Sequence, residues 1–210
     1  MKITKYVHSC LLVETPDRVA IFDPGSMSEE AFDFQALARL DDIFITHMHG
    51  DHMSPSFIKK LIDQFPAVRI TTTEEAAKIL NAEGIKATTA LPAGVELFDS
   101  PHEDVSPVFP QPEEIGIHYL NVLSDPGDSR QFHETKAILA LPLVAPWGGW
   151  IKSYKAALDV RPQHVLPIHD WHLSDAARAQ TYDKLETLLA EQGITFHKLE
   201  TGVPVEIDVS

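Results

Sequence analysis

In Thr46-His47-Met48-His49-Gly50-Asp51-His52, three histidines and one aspartate occur within six residues, in the pattern H-x-H-x-D-H. Imidazole and carboxylate groups are ligands of zinc-like divalent ions. A short strand is predicted directly before the motif, so that His47 and His49 point the same way in its two-residue period. Asp51 and His52 lie beyond the glycine and can face a second ion. The motif therefore predicts a metal site with room for two ions.

Four neighbouring ligands do not complete two metal sites, and three more candidates lie further along the chain. His102, Asp128 and His169 each follow or end a predicted strand. Strand ends and the loops after them are places where a rigid scaffold presents functional groups. These three residues are therefore predicted to complete the ligand set.

Nearby residues compete with these candidates. His118 also lies between the motif and Asp128, although it falls in the middle of a predicted strand. Asp125 competes with Asp128, and His172 follows His169 by three residues. Spacing alone leaves these alternatives open.

Short apolar segments alternate with helical patterns along the rest of the chain, and the C-terminal residues return to strand. Apolar spacing and capping residues predict helices at 29–40, 56–65, 74–82, 151–159 and 175–191. The predicted N-caps of the second, third and fifth of these helices are Ser54, Thr73 and Ser174. This order indicates an α/β protein in which helices cover the sheets. We expect one domain that spans residues 1–210.

Composition narrows the class of partner. The chain has 17 Lys+Arg against 31 Asp+Glu, a formal net charge of −14, which disfavours nucleic acid because phosphate binding needs a basic surface. The most apolar window, 137–151, is shorter than the ~20 residues of a membrane span, so no membrane association is expected. The single Cys10 allows no internal disulfide, which predicts a reducing, cytoplasmic location.

Over nearly its whole length the sequence resembles the metallo-β-lactamase-fold hydrolases, and most closely the small L-ascorbate-6-phosphate lactonase-like members. Residues 46–52 match the family signature. His8-Ser9-Cys10-Leu11-Leu12-Val13-Glu14 resembles the opening strand turn of that branch, and Asp23-Pro24-Gly25 matches the acidic turn after its next strand. The resemblance implies a four-layer αββα sandwich of two mixed β-sheets flanked by helices.

The resemblance also implies a ligand assignment. It implies that His47, His49 and His102 bind one ion and that Asp51, His52 and His169 bind the other. Asp128 is the implied bridging ligand. The family pattern Gly-Asp-Ser/Thr occurs as Gly127-Asp128-Ser129 and favours Asp128 over Asp125.

Residues around the ligands are expected to orient them. Metal-bound histidines usually donate their other ring proton to a carboxylate or carbonyl. Asp23, on a turn after a strand, is the best candidate for that role, and the resemblance places His8 near the site. The aromatic residues that could line a substrate mouth, with core packing as the alternative, are Trp147, Trp150, Trp171 and Phe109.

These features predict a metal-dependent hydrolase that attacks an ester, lactone or phosphoester bond of a small-molecule substrate. Two divalent ions, zinc first with manganese or iron as alternatives, would activate a hydroxide. Asp51 and Asp128 are the predicted catalytic residues, and no Gly-x-Ser-x-Gly motif supports covalent catalysis. The alternatives are a phosphodiesterase or nuclease of the same fold and a non-catalytic metal-binding module. Assembly into a homo-oligomer stays open.

Overall fold

Twelve strands and four α-helices are present in the computed structural model, which describes residues 1–104 and 110–209. The chain divides into a first unit, Met1–Leu91 with Glu200–Ser210, and a second unit, Pro92–Leu199. In chain order the elements are β1 (Lys2–Lys5), β2 (Leu11–Glu14), β3 (Val19–Phe22), β4 (Asp42–Phe44), α1 (Pro55–Gln64), β5 (Arg69–Thr71), α2 (Glu74–Ala82), β6 (Val95–Phe98), β7 (Gly116–Tyr119), β8 (Leu123–Asp125), β9 (Ile138–Pro142), α3 (Trp150–Val160), β10 (His164–Ile168), α4 (Asp175–Ala190), β11 (Thr195–Phe196) and β12 (Pro204–Glu206).

The first unit is built on a six-stranded sheet in the order β12-β1-β2-β3-β4-β5. The first four of these strands pair antiparallel, whereas β3, β4 and β5 run parallel. Ile21, Ile43 and Ile70 lie side by side on the parallel strands and are buried. Parallel neighbours end at the same edge of a sheet, so the segments that leave β3 and β4 begin close together.

The helices of the first unit begin at the predicted caps. Ser54 Oγ accepts the backbone N–H of Phe57 at 3.3 Å, and Thr73 Oγ1 accepts that of Ala76 at 3.1 Å. Gly84, in the left-handed region at φ 77°, follows the end of α2. Apolar faces of both helices join the core of the sheet, which includes Ile21, Ile43, Phe57, Ile58, Leu61, Ile70, Ala76 and Leu80. Burial of these faces, more than helix propensity, stabilises such short helices.

Residues 29–40 do not form the helix that their apolar spacing predicts, and the segment consists of turns and irregular backbone. Asp33 Oδ1 accepts the backbone N–H groups of Gln35 at 2.9 Å and Ala36 at 3.3 Å. Such local side-chain bonds offer the backbone an alternative to helix. Of the apolar residues whose spacing suggested a helix, Leu37 is buried and Phe34 packs partly buried against the core, whereas Ala31 and Ala38 are exposed.

The second unit contains a six-stranded sheet in the order β11-β10-β9-β8-β7-β6. Strands β8 to β11 run parallel, whereas β6, β7 and β8 pair antiparallel. β9 lies between two parallel neighbours and is buried throughout, as its continuous apolar sequence predicts. The core of the second unit, to which α3 and α4 contribute, includes Leu139, Leu141, Ala157, Val165, Leu185 and Leu189.

A tight turn divides the segment 115–122, which the sequence predicts as one strand. Leu120 and Asn121 both have left-handed backbone, with φ of 52° and 55°. Two left-handed central residues are the signature of a type I′ hairpin turn, and this turn joins β7 to β8.

Two mixed sheets, each accompanied by two helices, confirm the predicted α/β class. Within the described residues, none of the helices combines the length and the apolar character needed to cross a membrane.

Candidate metal centre

The predicted motif of the first unit forms a cluster directly after β4. His47 and His52 are fully buried, and His49 and Asp51 are partly buried. His47 Nε2 lies 3.1 Å from His49 Nδ1, and the rings of His47 and His52 have centroids 4.1 Å apart. We call His47, His49, Asp51 and His52 the first cluster; one ring nitrogen of His47 lies next to one ring nitrogen of His49 in it.

Asp23 orients two of these histidines. Its Oδ2 accepts a hydrogen bond from His52 Nδ1 at 2.7 Å and another from Thr46 Oγ1 at 2.8 Å. Because the hydroxyl proton of Thr46 is used in this way, His47 Nδ1, 3.1 Å from Thr46 Oγ1, is the donor of that contact. Both imidazoles are thereby held as Nδ1–H tautomers, with Nε2 left as a donor atom for a cation.

The turn that carries Asp23 also holds the loop of the motif in place. Gly25 packs so closely on this loop that a Cβ atom there would lie 1.7 Å from the carbonyl oxygen of Asp51. Ser26 donates its backbone N–H to Gly50 O at 2.9 Å. Only glycine fits at position 25, so the Asp23-Pro24-Gly25 turn fixes the position of the loop as well as the tautomers.

His8 approaches the first cluster from the turn between β1 and β2. Its side chain is buried, and its Nε2 lies 3.1 Å from Asp51 Oδ2. Its neighbour Ser9 places Oγ 3.5 Å from His52 Nε2. His8, Asp51 and His52 each offer a ligand atom within 4.8 Å of the others.

In the second unit, a second cluster is formed by His102, Asp128 and His169, all of them buried. His169 Nε2 lies 3.0 Å from Asp128 Oδ1, and His102 Nε2 lies 3.6 Å from Asp128 Oδ2. One carboxylate thus faces an imidazole with each of its oxygens. His169, directly after β10, has left-handed backbone at φ 54°.

Backbone carbonyls orient the two histidines of the second cluster. His102 Nδ1 donates to Glu103 O at 2.7 Å, and His169 Nδ1 donates to Val144 O at 3.0 Å. In the neutral tautomer this leaves the Nε2 lone pair of each ring directed at carboxylate oxygen. A nitrogen lone pair and a carboxylate oxygen repel each other at 3.0 Å unless a cation binds both of them. The nitrogen and oxygen atoms of this cluster therefore fit a divalent metal ion as ligands.

Further side chains surround Asp128. Trp147 Nε1 donates to Asp128 Oδ2 at 3.4 Å, and the Arg130 guanidinium lies over the Trp147 ring at 4.1 Å from its centroid. Arg130 also pairs with Glu103 at 3.6 Å, and burial lowers the pKa of Arg130. The backbone N–H of Asp128 donates to Glu114. Trp147 therefore supports the carboxylate.

The pattern of the Metallo-beta-lactamase superfamily matches residues 3–189 of this sequence. The chain belongs to the metallo-beta-lactamase superfamily. Its metal-dependent hydrolase fold and its histidine and aspartate clusters agree with an enzyme of this superfamily.

Individual relatives lie at low identity. Protein Rv0786c of Mycobacterium tuberculosis is 27% identical over 215 residues, which cover 93% of this chain and 100% of that protein. Igni18, a metallo hydrolase from Ignicoccus hospitalis, has a TM-score of 0.70 at 17% identity and 99% coverage of both chains. CmlA, a diiron beta-hydroxylase from Streptomyces venezuelae, has a TM-score of 0.67 at 16% identity. That match covers 98% of this chain and 54% of the CmlA chain. The two structural likenesses show the fold.

The rival residues make other contacts in this metallo-beta-lactamase fold. His118 Nδ1 lies 2.9 Å from Ser124 Oγ, and its ring stacks on Phe98 with centroids 4.3 Å apart. Burial lowers the pKa of His118. Asp125 Oδ1 accepts the backbone N–H of Gly127 at 3.0 Å. These contacts give both residues a role within the second sheet and its turn.

The aromatic candidates separate into different environments. Trp147 is buried beside Asp128, Trp150 opens α3 and packs on the core of the second unit, and Trp171 is 52% exposed. Phe109 lies outside the described residues. Sequence reasoning missed Glu103, Arg130 and Glu114, because nothing in their local sequence indicates contacts with a residue of the second cluster.

Proposed function

We propose that the chain is a metal-dependent hydrolase with a dinuclear centre formed by both clusters. The supporting observation is that four of their imidazoles, those of His47, His52, His102 and His169, are held with Nδ1 protonated, so that Nε2 is presented for metal. Asp23 and Thr46 hold the first two, and two backbone carbonyls hold the others. In this proposal the units form one domain, residues 1–210, whose layers stack as an αββα sandwich. The ligands assigned to the first ion are His47, His49 and His102. Those assigned to the second ion are Asp51, His52 and His169, and Asp128 is assigned as the bridge.

When bound, a pair of divalent ions supplies Lewis acidity and lowers the pKa of a water molecule towards ~7. The chain supplies the remaining chemistry. Asp128 presents one oxygen to each histidine of the second cluster, and Asp51, with 27% of its side chain exposed, can accept a proton from an incoming nucleophile at the carboxylate oxygen that does not face His8. Cys10 is fully buried and burial raises the pKa of its thiol, which disfavours a thiolate nucleophile.

The proposed substrate is a small molecule with an ester, lactone or phosphoester bond. The lactonase-like branch suggested by the His8–Glu14 stretch makes a lactone of a sugar acid the first candidate. The formal net charge of −14 disfavours a polynucleotide, since a basic surface is needed to hold its phosphates. Zinc is the first candidate metal, with manganese or iron as alternatives, since sites of imidazole and carboxylate accept all three.

The test compares metal content with turnover. The full-length chain is stripped with a chelator, reloaded separately with zinc, manganese or iron, and assayed on lactones, carboxylic esters, phosphodiesters and a polynucleotide. We expect a pair of ions per chain by elemental analysis and hydrolysis of a small ester or lactone. His49→Ala and Asp128→Ala should lose both, whereas the control His133→Ala, at an exposed position, should keep both.

Other results would select the alternatives. Hydrolysis of the polynucleotide, with salt-sensitive binding, would favour a phosphodiesterase or nuclease. Full metal loading without turnover of any substrate would favour a non-catalytic metal-binding module. A wild-type chain that takes up no metal would overturn the proposal.

A further inference from the structure

His8 belongs to a small group of non-glycine residues with left-handed backbone in the described part of the chain: His8, Asp23, Leu120, Asn121, Arg161 and His169. Leu120 and Asn121 form the hairpin turn between β7 and β8, and Arg161 caps α3. These are positions where left-handed backbone is ordinary. Residues other than glycine that adopt it elsewhere tend to lie at functional sites.

The turn around His8 is held firmly. Tyr6 donates its backbone N–H to Cys10 O at 2.8 Å, and Ser28 Oγ donates to Val7 O at 2.5 Å. The imidazole of His8 is fully buried. A glycine or asparagine would adopt the same backbone more readily, so the backbone does not require a histidine here, and the contacts of its side chain are the better guide to its role.

That side chain reaches into the first cluster. His8 Nε2 lies 3.1 Å from Asp51 Oδ2, and Asp51 Oδ2 lies 4.0 Å from His52 Nε2. Two ligand atoms bound to one zinc ion at ~2.0–2.1 Å in tetrahedral geometry lie about 3.3 Å apart. The separation of His8 and Asp51 is close to that distance. His52 turns its Nδ1 to Asp23, so its Nε2 is the ring atom on the side of Asp51.

We propose that His8 is a further protein ligand, through Nε2, to the ion that Asp51 and His52 bind. This inference rests on the proposed function and adds a ligand that lies outside the H-x-H-x-D-H motif and 43 residues from Asp51. With His8, the first unit alone supplies two imidazoles and one carboxylate to a single cation.

The deciding variant is His8→Gln. The glutamine amide reaches about as far as Nε2 of histidine and keeps an N–H donor for Asp51, but it is a poor nitrogen ligand. The matched control is His118→Gln, a buried histidine bonded to Ser124. The thermal unfolding of both metal-free variants is measured first, so that loss of fold is distinguished from loss of a ligand. If His8→Gln unfolds early, His8→Asn, which tolerates left-handed backbone, replaces it.

The measurement follows metal rather than activity. Full-length chain labelled with ¹⁵N-histidine is loaded with ¹¹³Cd, and each bound ring nitrogen is identified by its cadmium coupling. We expect the wild type to show a coupled His8 nitrogen. His8→Gln should lose that signal and weaken one of two binding steps at least about tenfold in zinc titrations with a competing chelator. His118→Gln should match the wild type.

The result separates the two proposals. An uncoupled His8 nitrogen in a fully loaded chain, or wild-type affinity for both ions in His8→Gln, would show that His8 only donates a hydrogen bond to Asp51. The dinuclear centre would then stand without this ligand. A chain that binds neither cadmium nor zinc would overturn both.

Discussion

Side chains orient the histidines of the first cluster, whereas the backbone orients those of the second. Asp23 and Thr46 hold His52 and His47 through three hydrogen bonds. In the second unit, the carbonyl groups of Glu103 and Val144 hold His102 and His169. The same chemical result, a protonated Nδ1 and a presented Nε2, is thus reached by two routes, and only the first can be removed by changing an orienting side chain.

The largest effect should come from the tightest contact of the first cluster. Gly25→Ala puts a Cβ atom into the backbone of the motif loop, 1.7 Å from Asp51 O, and we expect a loss of about 3 kcal/mol in the free energy of unfolding together with loss of metal binding. Urea denaturation measures the first quantity. The control is Gly50→Ala, since a Cβ there meets nothing within 4 Å; equal stability of both variants would contradict the packing argument.

Removal of the orienting carboxylate should have the next largest effect. Asp23→Asn keeps the shape of the side chain but removes the negative charge of the carboxylate that accepts hydrogen bonds from His52 and Thr46. We expect metal affinity to fall about 10–100-fold. Isothermal titration with zinc measures it, and Asp63→Asn, exposed on α1, is the control. Unchanged affinity would mean that the first cluster, like the second, does not depend on an orienting side chain.

A smaller effect is expected in the second cluster, because its main supports are carbonyls. Trp147→Phe keeps a ring beneath Arg130 but removes the indole N–H that reaches Asp128 at 3.4 Å. We expect metal affinity to fall by about 1 kcal/mol, roughly fivefold. Trp171→Phe, at an exposed position, should change nothing. A loss as large as that of Asp23→Asn would remove the contrast between the clusters.

The smallest effect concerns a histidine outside both clusters. Burial, and then the neighbouring His164, lowers the pKa of His197, whose Nε2 lies 3.1 Å from His164 Nδ1. The unfolded chain therefore binds this proton more readily, and stability falls as pH drops below about 6.5. His197→Gln should reduce this acid-induced loss in the metal-free chain by a few tenths of a kcal/mol, since the ring is partly exposed.

Melting temperatures at about pH 7.5 and about pH 5.5 measure this difference. His133→Gln, an exposed histidine of the same unit, is the control. A steeper acid-induced loss in His197→Gln than in the wild type would contradict the sign of the pKa shift.

Local sequence was sufficient where the deciding contacts are local. The H-x-H-x-D-H motif, the caps Ser54, Thr73 and Ser174, and the acidic turn at Asp23 are all readable because each acts within a few residues or at a strand end. The fold class followed from the order of such segments.

Contacts between distant segments were not readable. The apolar spacing of residues 29–40 suggested a helix, although tertiary burial and the Asp33 turn determine that segment. Arg130 and Trp147 are 17 residues apart, and no periodicity links them. The pairing of His8 with Asp51 depends on the fold of the first sheet, so the sequence could suggest only that His8 lies nearby.

The carbonyl supports of the second cluster have a consequence for sequence divergence. Every amino acid carries a carbonyl, so His169 keeps its partner whichever side chain occupies position 144. Position 144 can therefore accept other side chains, in evolution or in a directed-evolution library, without loss of the hydrogen bond to His169. Position 23 has no such freedom, and variation in the first unit is better aimed at its exposed helix faces.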